Sequence, residues 1–223
     1  MGPWNPMAAV GPAGHTSARA AAMVRAAIVE LARVPVFRTV TTSSSLGEVA
    51  VVEPALAREA TTSHLVGPAG RGVLRAVVAG GAEYLAGDEV GWSDLLRLLH
   101  APPATIGEAG SLAGSWYVEP PARAALVDGF GPTLSGVGHV FCTGAGCSLA
   151  GARVVASAAG RVAVAVPAFG GDVVLDTTHH LRPVALLGTG ARRRLEMRFS
   201  YPSSVPLVFA PSAAVPAPPA ISS

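Results

Sequence analysis

Leu195-Glu196-Met197-Arg198-Phe199-Ser200-Tyr201 alternates apolar and polar residues along its whole length. A period of two puts alternate side chains on opposite faces of an extended chain, so this stretch reads as a strand with one face buried. Val-rich runs broken by Gly, Pro and Asp surround it: Trp116–Glu119, Val137–Thr143, Arg161–Pro167, Asp172–Asp176, Pro183–Leu187 and Val205–Ala210. Each reads as a short strand bounded by turn residues.

The earlier part of the chain has a different period. Met23, Val24, Ala27, Ile28 and Leu31 recur at helical spacing; Thr16 or Ser17 can cap that helix, and it must end before Pro35. Val34–Thr41 and Glu48–Val52 read as strands joined by a turn at Ser43–Ser45. Gly72–Leu85 reads as a second helix. Ser93–His100 reads as a third, capped by Ser93 and stopped by Pro102. Helices and strands do not alternate regularly. The expected class is therefore α+β, with N-terminal helices and a C-terminal, mostly antiparallel β-sheet or sandwich. One α+β domain over residues 16–210 is expected, helix-rich to about 114 and strand-rich after it. Extended arms over 1–15 and over the Pro-rich 211–223 flank it.

Composition narrows the classes. Half of the 223 residues are hydrophobic, 13% are charged and the net charge is +2. That argues against disorder throughout. Ala supplies 42 residues, Lys and Gln are absent, and all 16 cations are Arg. Any cationic contact to an anion must then use a guanidinium, which favours bidentate geometry. No apolar run approaches the ~20 residues of a membrane helix, and no secretory leader is evident near Met1. Two cysteines do not build a disulfide framework, so a reducing compartment is the default.

Several motifs touch on known chemistry and fall short of it. Thr143-Gly144-Ala145-Gly146 follows an apolar run and resembles the opening turn of a dinucleotide-binding βαβ unit of the short-chain dehydrogenase type. Leu149 stands where the third glycine should be, and too few residues follow for the rest of a doubly wound sheet. Gly146-Cys147-Ser148-Leu149-Ala150 is similar to a nucleophile elbow, with Asp176 and His179 or His180 downstream in the hydrolase order. Those partners crowd within four residues, whereas triad members come from separate loops. His139, Cys142, Cys147, His179 and His180 do not match a zinc-site spacing. No catalytic, cofactor or metal residue is therefore assigned, and the chain is read as a non-enzyme without cofactor. The one basic cluster is Arg192, Arg193 and Arg194, continued by Arg198 on the alternating strand; these four are the candidate nucleic-acid contacts, gripping phosphates.

The Pro/Ala/Ser-rich, mildly basic composition resembles the proline-alanine-serine-rich coat proteins of polymycoviruses. The pair Leu195–Tyr201 and Val205–Pro211 is similar to a strand pair of jelly-roll viral capsid proteins. Both resemblances imply a self-assembling viral capsid or coat subunit. The partners expected are identical copies in a large homo-oligomer, and viral RNA held through the Arg cluster, with no membrane. The implied location is the virion, and the host cytoplasm during assembly. Low-complexity ends hold still only when something clamps them, and sister copies are the expected clamp. The alternative is a small α+β enzyme using the Gly-rich turn 144–151 for a nucleotide, or Ser148 as a nucleophile.

Overall fold

A computed structural model of the chain describes residues 17–43, 46–68, 70–98, 100–119, 148–188, 195–204 and 208–218. The fold is β-rich, which overturns the α+β expectation. Among the described residues, twelve strands form a single sheet: β1 (Phe37–Thr42), β2 (Leu46–Glu53), β3 (Arg58–Gly67), β4 (Gly70–Ala79), β5 (Ala82–Gly87), β6 (Trp116–Glu119), β7 (Arg153–Ala158), β8 (Arg161–Val166), β9 (Gly171–Asp176), β10 (Arg182–Gly188), β11 (Leu195–Ser200) and β12 (Ala214–Pro216). Their spatial order is 12-6-5-4-3-2-1-11-10-9-8-7. Neighbours are antiparallel except β12, which runs parallel to β6. Four α-helices accompany them among the described residues: α1 (Ser17–Arg33), α2 (Glu89–Leu98), α3 (Pro103–Gly107) and α4 (Ala109–Leu112).

The second helix expected over Gly72–Leu85 is instead the β4–β5 hairpin. Its apolar residues satisfy a helical period because both faces of these strands are partly covered. The deciding residues are Gly80 and Gly81, whose φ values are +63° and +79°. Two successive left-handed residues make the tight turn whose twist matches paired strands. The third helix exists but begins earlier, at Glu89. Its cap is Asp88 rather than Ser93, which lies buried inside the helix. The Asp88 carboxylate accepts the Gly91 amide at 2.7 Å and the Val73 amide at 3.0 and 3.1 Å, so one side chain caps α2 and ties it to β4.

Both helical blocks lie on the same face of the sheet. α1 buries Ala20, Val24, Ala27 and Leu31 against Val154, Val162, Val164, Val173 and Leu175 of β7–β9 and against Phe37 and Phe199. Trp92, Leu95 and Leu96 of α2, with Ala109 and Leu112 of α4, cover Leu65, Leu74, Ala76, Leu85 and Tyr117. The register places all of these strand residues on one side. The Glu30 carboxylate accepts Arg182 Nε at 3.1 Å, anchoring α1 to β10, and the Arg182 guanidinium lies over the Tyr201 ring.

Residues 208–218, which include the first part of the Pro-rich tail, pack against the chain's own sheet. Val208 packs with Val77 and Ala79 on the opposite face, and its amide donates to the buried Glu53 carboxylate at 3.2 Å. Ala214–Pro216 then extends the sheet beside β6. The N-terminal arm lies outside the described residues.

Candidate functional site: a polar seam between two hydrophobic clusters

Following the register across β11, β1, β2, β3 and β4 on the helix-bearing face gives two rows. One runs Met197, Thr41, Glu48, Ser63, Leu74; the next runs Phe199, Thr39, Ala50, Thr61, Ala76. The outer members belong to the two clusters under the helical blocks. The middle three strands carry polar side chains instead, over a width of about 10 Å at the usual strand spacing. Thr39, Thr41, Glu48, Thr61 and Ser63 are all buried, none more than 4% exposed.

Buried polar groups nearly always have partners. Two pairs here do: the Ser63 hydroxyl donates to Glu48 Oε2 at 3.0 Å, and the Thr61 hydroxyl donates to Glu59 Oε1 at 2.8 Å. The Thr39 and Thr41 hydroxyls find no partner among the described residues. Burial pushes the Glu48 carboxyl up to about 7, and the Ser63 hydrogen bond pulls back against that rise. Near neutrality Glu48 can therefore act as a carboxylic acid donor or as a carboxylate acceptor. Beside the seam, under α2, a cavity of about 20 Å³ lined by Thr61, Ser63, Leu85 and Leu95 has room for one water.

Of the residues singled out from the sequence, only Asp176 and His179 are brought together among the described residues. Arg192, Arg193 and Arg194 lie outside the described residues, as do His139, Cys142 and Cys147 and the Thr143–Gly146 turn. Arg198 sits on the opposite face of β11, with its Nε on Glu196 Oε1 at 2.6 Å. Ser148 is exposed and its hydroxyl accepts the Ala150 amide at 3.3 Å, within its own turn. Asp176 pairs with His179 at 3.0 Å in the exposed β9–β10 turn. The Thr178 hydroxyl, with its amide and His179, holds the Asp176 carboxyl down at about 2. These groups satisfy one another locally, and no contact to Ser148 is among their bonds. Among the described residues no three His, Cys, Asp or Glu side chains form a metal-binding group, and no helix is long and apolar enough to cross a membrane.

Sequence reasoning missed the seam. Its β3 residues lie in the run Glu59-Ala60-Thr61-Thr62-Ser63, where burial alternates but the inward members are all polar. A reading that assigns apolar residues to the buried face has no means of seeing it.

No family model matches the chain, and no curated protein matches it. A solved structure similar to it is that of LprF from Mycobacterium bovis. The TM-score is 0.40 at 12% identity, with 87% of this chain and 99% of that chain covered.

Proposed function

We propose that this protein binds a small amphipathic molecule in the seam between its two helical blocks, which have to part to admit it, since the cavity beside the seam has room for one water. The apolar body would lie against the flanking hydrophobic clusters. The polar head, a hydrogen-bond donor such as an ammonium or hydroxyl, would meet Glu48 and the Thr39 and Thr41 hydroxyls. The observation that carries this reading is the pair of buried threonine hydroxyls without described partners, beside a carboxyl raised toward neutrality by burial. An unmade hydrogen bond of this kind costs about 1–3 kcal/mol. Valine has nearly the shape of threonine and avoids that cost, so a core with no use for the hydroxyls gains by losing them.

The test is a thermal-shift titration with dodecylamine, dodecanol and laurate. The amine or the alcohol should raise the melting temperature of the wild type, and laurate should not. The Thr39→Val, Thr41→Val double variant should melt higher than wild type on its own and lose the ligand-induced shift. Equal shifts in both proteins, or no shift with either donor probe, would overturn the reading.

The coat-subunit expectation rests on ends clamped by sister copies. Residues 214–216 of the Pro-rich end are paired with β6 of their own sheet, so what still speaks for that reading is the composition of residues 1–15 and the Arg192–Arg194 cluster. Its own test is the assembly mass, expected far above the 22.3 kDa of one chain.

A further inference from the structure

On the face of the sheet away from the helices, the register aligns Thr42, Gly47, His64 and Val73 in one row across β1–β4. Val66 and Arg71 form the next row toward the end of the β3–β4 hairpin. These residues line a groove of about 410 Å³, within the size range of small-molecule sites. Gly47 forms part of its floor: a Cβ placed there would stand 3.9 Å from the His64 Cβ, in ordinary contact, and would fill space now open.

The ionisable side chains that line the groove are basic. Arg71 and His64 are its ionisable lining residues, both exposed, and neither is bonded to a carboxylate among the described residues. Among the described residues no Asp or Glu lines the groove. On this face of β1–β5 the other charged side chains are Arg38, Arg58, Arg75 and Glu53; Glu53 is buried and accepts the Val208 amide. Glu196 lies beyond Thr42 in the same row, with Arg198 bonded to it. Val66 and Val73 present apolar side chains on this face, whereas the Leu46 and Leu65 side chains, though these residues border the groove, belong to the helix-covered side.

We infer that this groove is a binding site for an oxyanion carried on a short aliphatic body, with Arg71 and His64 holding the anionic head and the aliphatic part lying over Gly47 against Val66 and Val73. A guanidinium suits phosphate and carboxylate equally, through paired N–H donors. The site is independent of the seam and prefers the opposite ligand charge.

Calorimetric titration of the full chain with octyl phosphate, octanoate, octanol and inorganic phosphate tests the inference. One or both octyl oxyanions should bind, with octanol and inorganic phosphate much weaker; the ratio of the two oxyanions identifies the head group. Arg71→Gln should weaken binding by about tenfold or more. Gly47→Val keeps Arg71 and His64, sits on an ordinary strand backbone and should abolish binding by filling the floor. The Thr39→Val, Thr41→Val variant should bind as wild type does. The inference is overturned if neither oxyanion binds, if octanol binds as well as octyl phosphate, if Arg71→Gln or Gly47→Val binds unchanged, or if the threonine variant loses binding.

Discussion

Glu48 on β2 stands directly opposite Ser63 on β3, and the Ser63 hydroxyl donates to its carboxylate at 3.0 Å inside the sheet's helix-covered face. A neutral hydroxyl is the carboxylate's one identified side-chain donor, so burial dominates its ionisation. Two hydrophobic clusters thereby meet at a polar seam rather than fusing into one core.

That relationship gives a signed pH dependence. The folded Glu48 carboxyl titrates near 7, against 4.5 as the ordinary value. Between those values the folded state holds a proton that the unfolded state has lost, so stability falls as pH rises through this window. The full difference corresponds to about 3 kcal/mol, lost by the time pH exceeds 7. Urea unfolding at pH 4.5 and pH 8 should show this loss in wild type and a clearly smaller one in Glu48→Gln. Identical pH slopes in the two proteins would show that Glu48 ionises freely in the folded state.

Thr39→Val and Thr41→Val should each stabilise the unliganded protein, by about 1 kcal/mol. The β-branched shape is kept and an unbonded hydroxyl is removed from the interior. The midpoint of urea unfolding measures this directly. A loss of similar size would instead mean that the hydroxyls are bonded in solution.

Gly91→Ala should be strongly destabilising, by about 1–3 kcal/mol or more from overpacking. A Cβ on Gly91 would drive into the Val73 carbonyl of β4, and one on Gly72 would meet the Gly91 backbone. Backbone cannot step aside as a flexible side chain can. Asp88→Ala should cost about 1 kcal/mol at the same junction, by uncapping α2. Thermal unfolding of the three proteins should rank wild type above Asp88→Ala above Gly91→Ala; a Gly91→Ala protein as stable as wild type would mean that α2 rides farther from β4.

Removing residues 211–223 strips β12 from β6 and leaves that strand as an open edge. Unpaired edges recruit other strands. Sedimentation should show the truncated chain associating more than the full chain as concentration rises. A coat subunit joined through this tail would do the reverse and assemble less when truncated, so the direction of the change separates the two readings.

Parts of this architecture follow from the linear chain. The apolar spacing of Met23 to Leu31 sets α1, and the alternation of Leu195 to Tyr201 sets β11, because each pattern arises when one face of a single element is buried. Tertiary structure decided the rest. Whether Gly72–Leu85 winds or extends depended on the Gly80-Gly81 turn and on cover for both faces of β4, which no local period reports. Glu48, Thr61 and Ser63 are polar residues facing inward, and only cross-strand register shows that they adjoin one another and Thr41. The groove over Gly47 likewise joins residues of four strands. Periodicity reports which side of an element is dry; which dry sides come together, and what is left unbonded between them, is fixed only when the sheet is assembled.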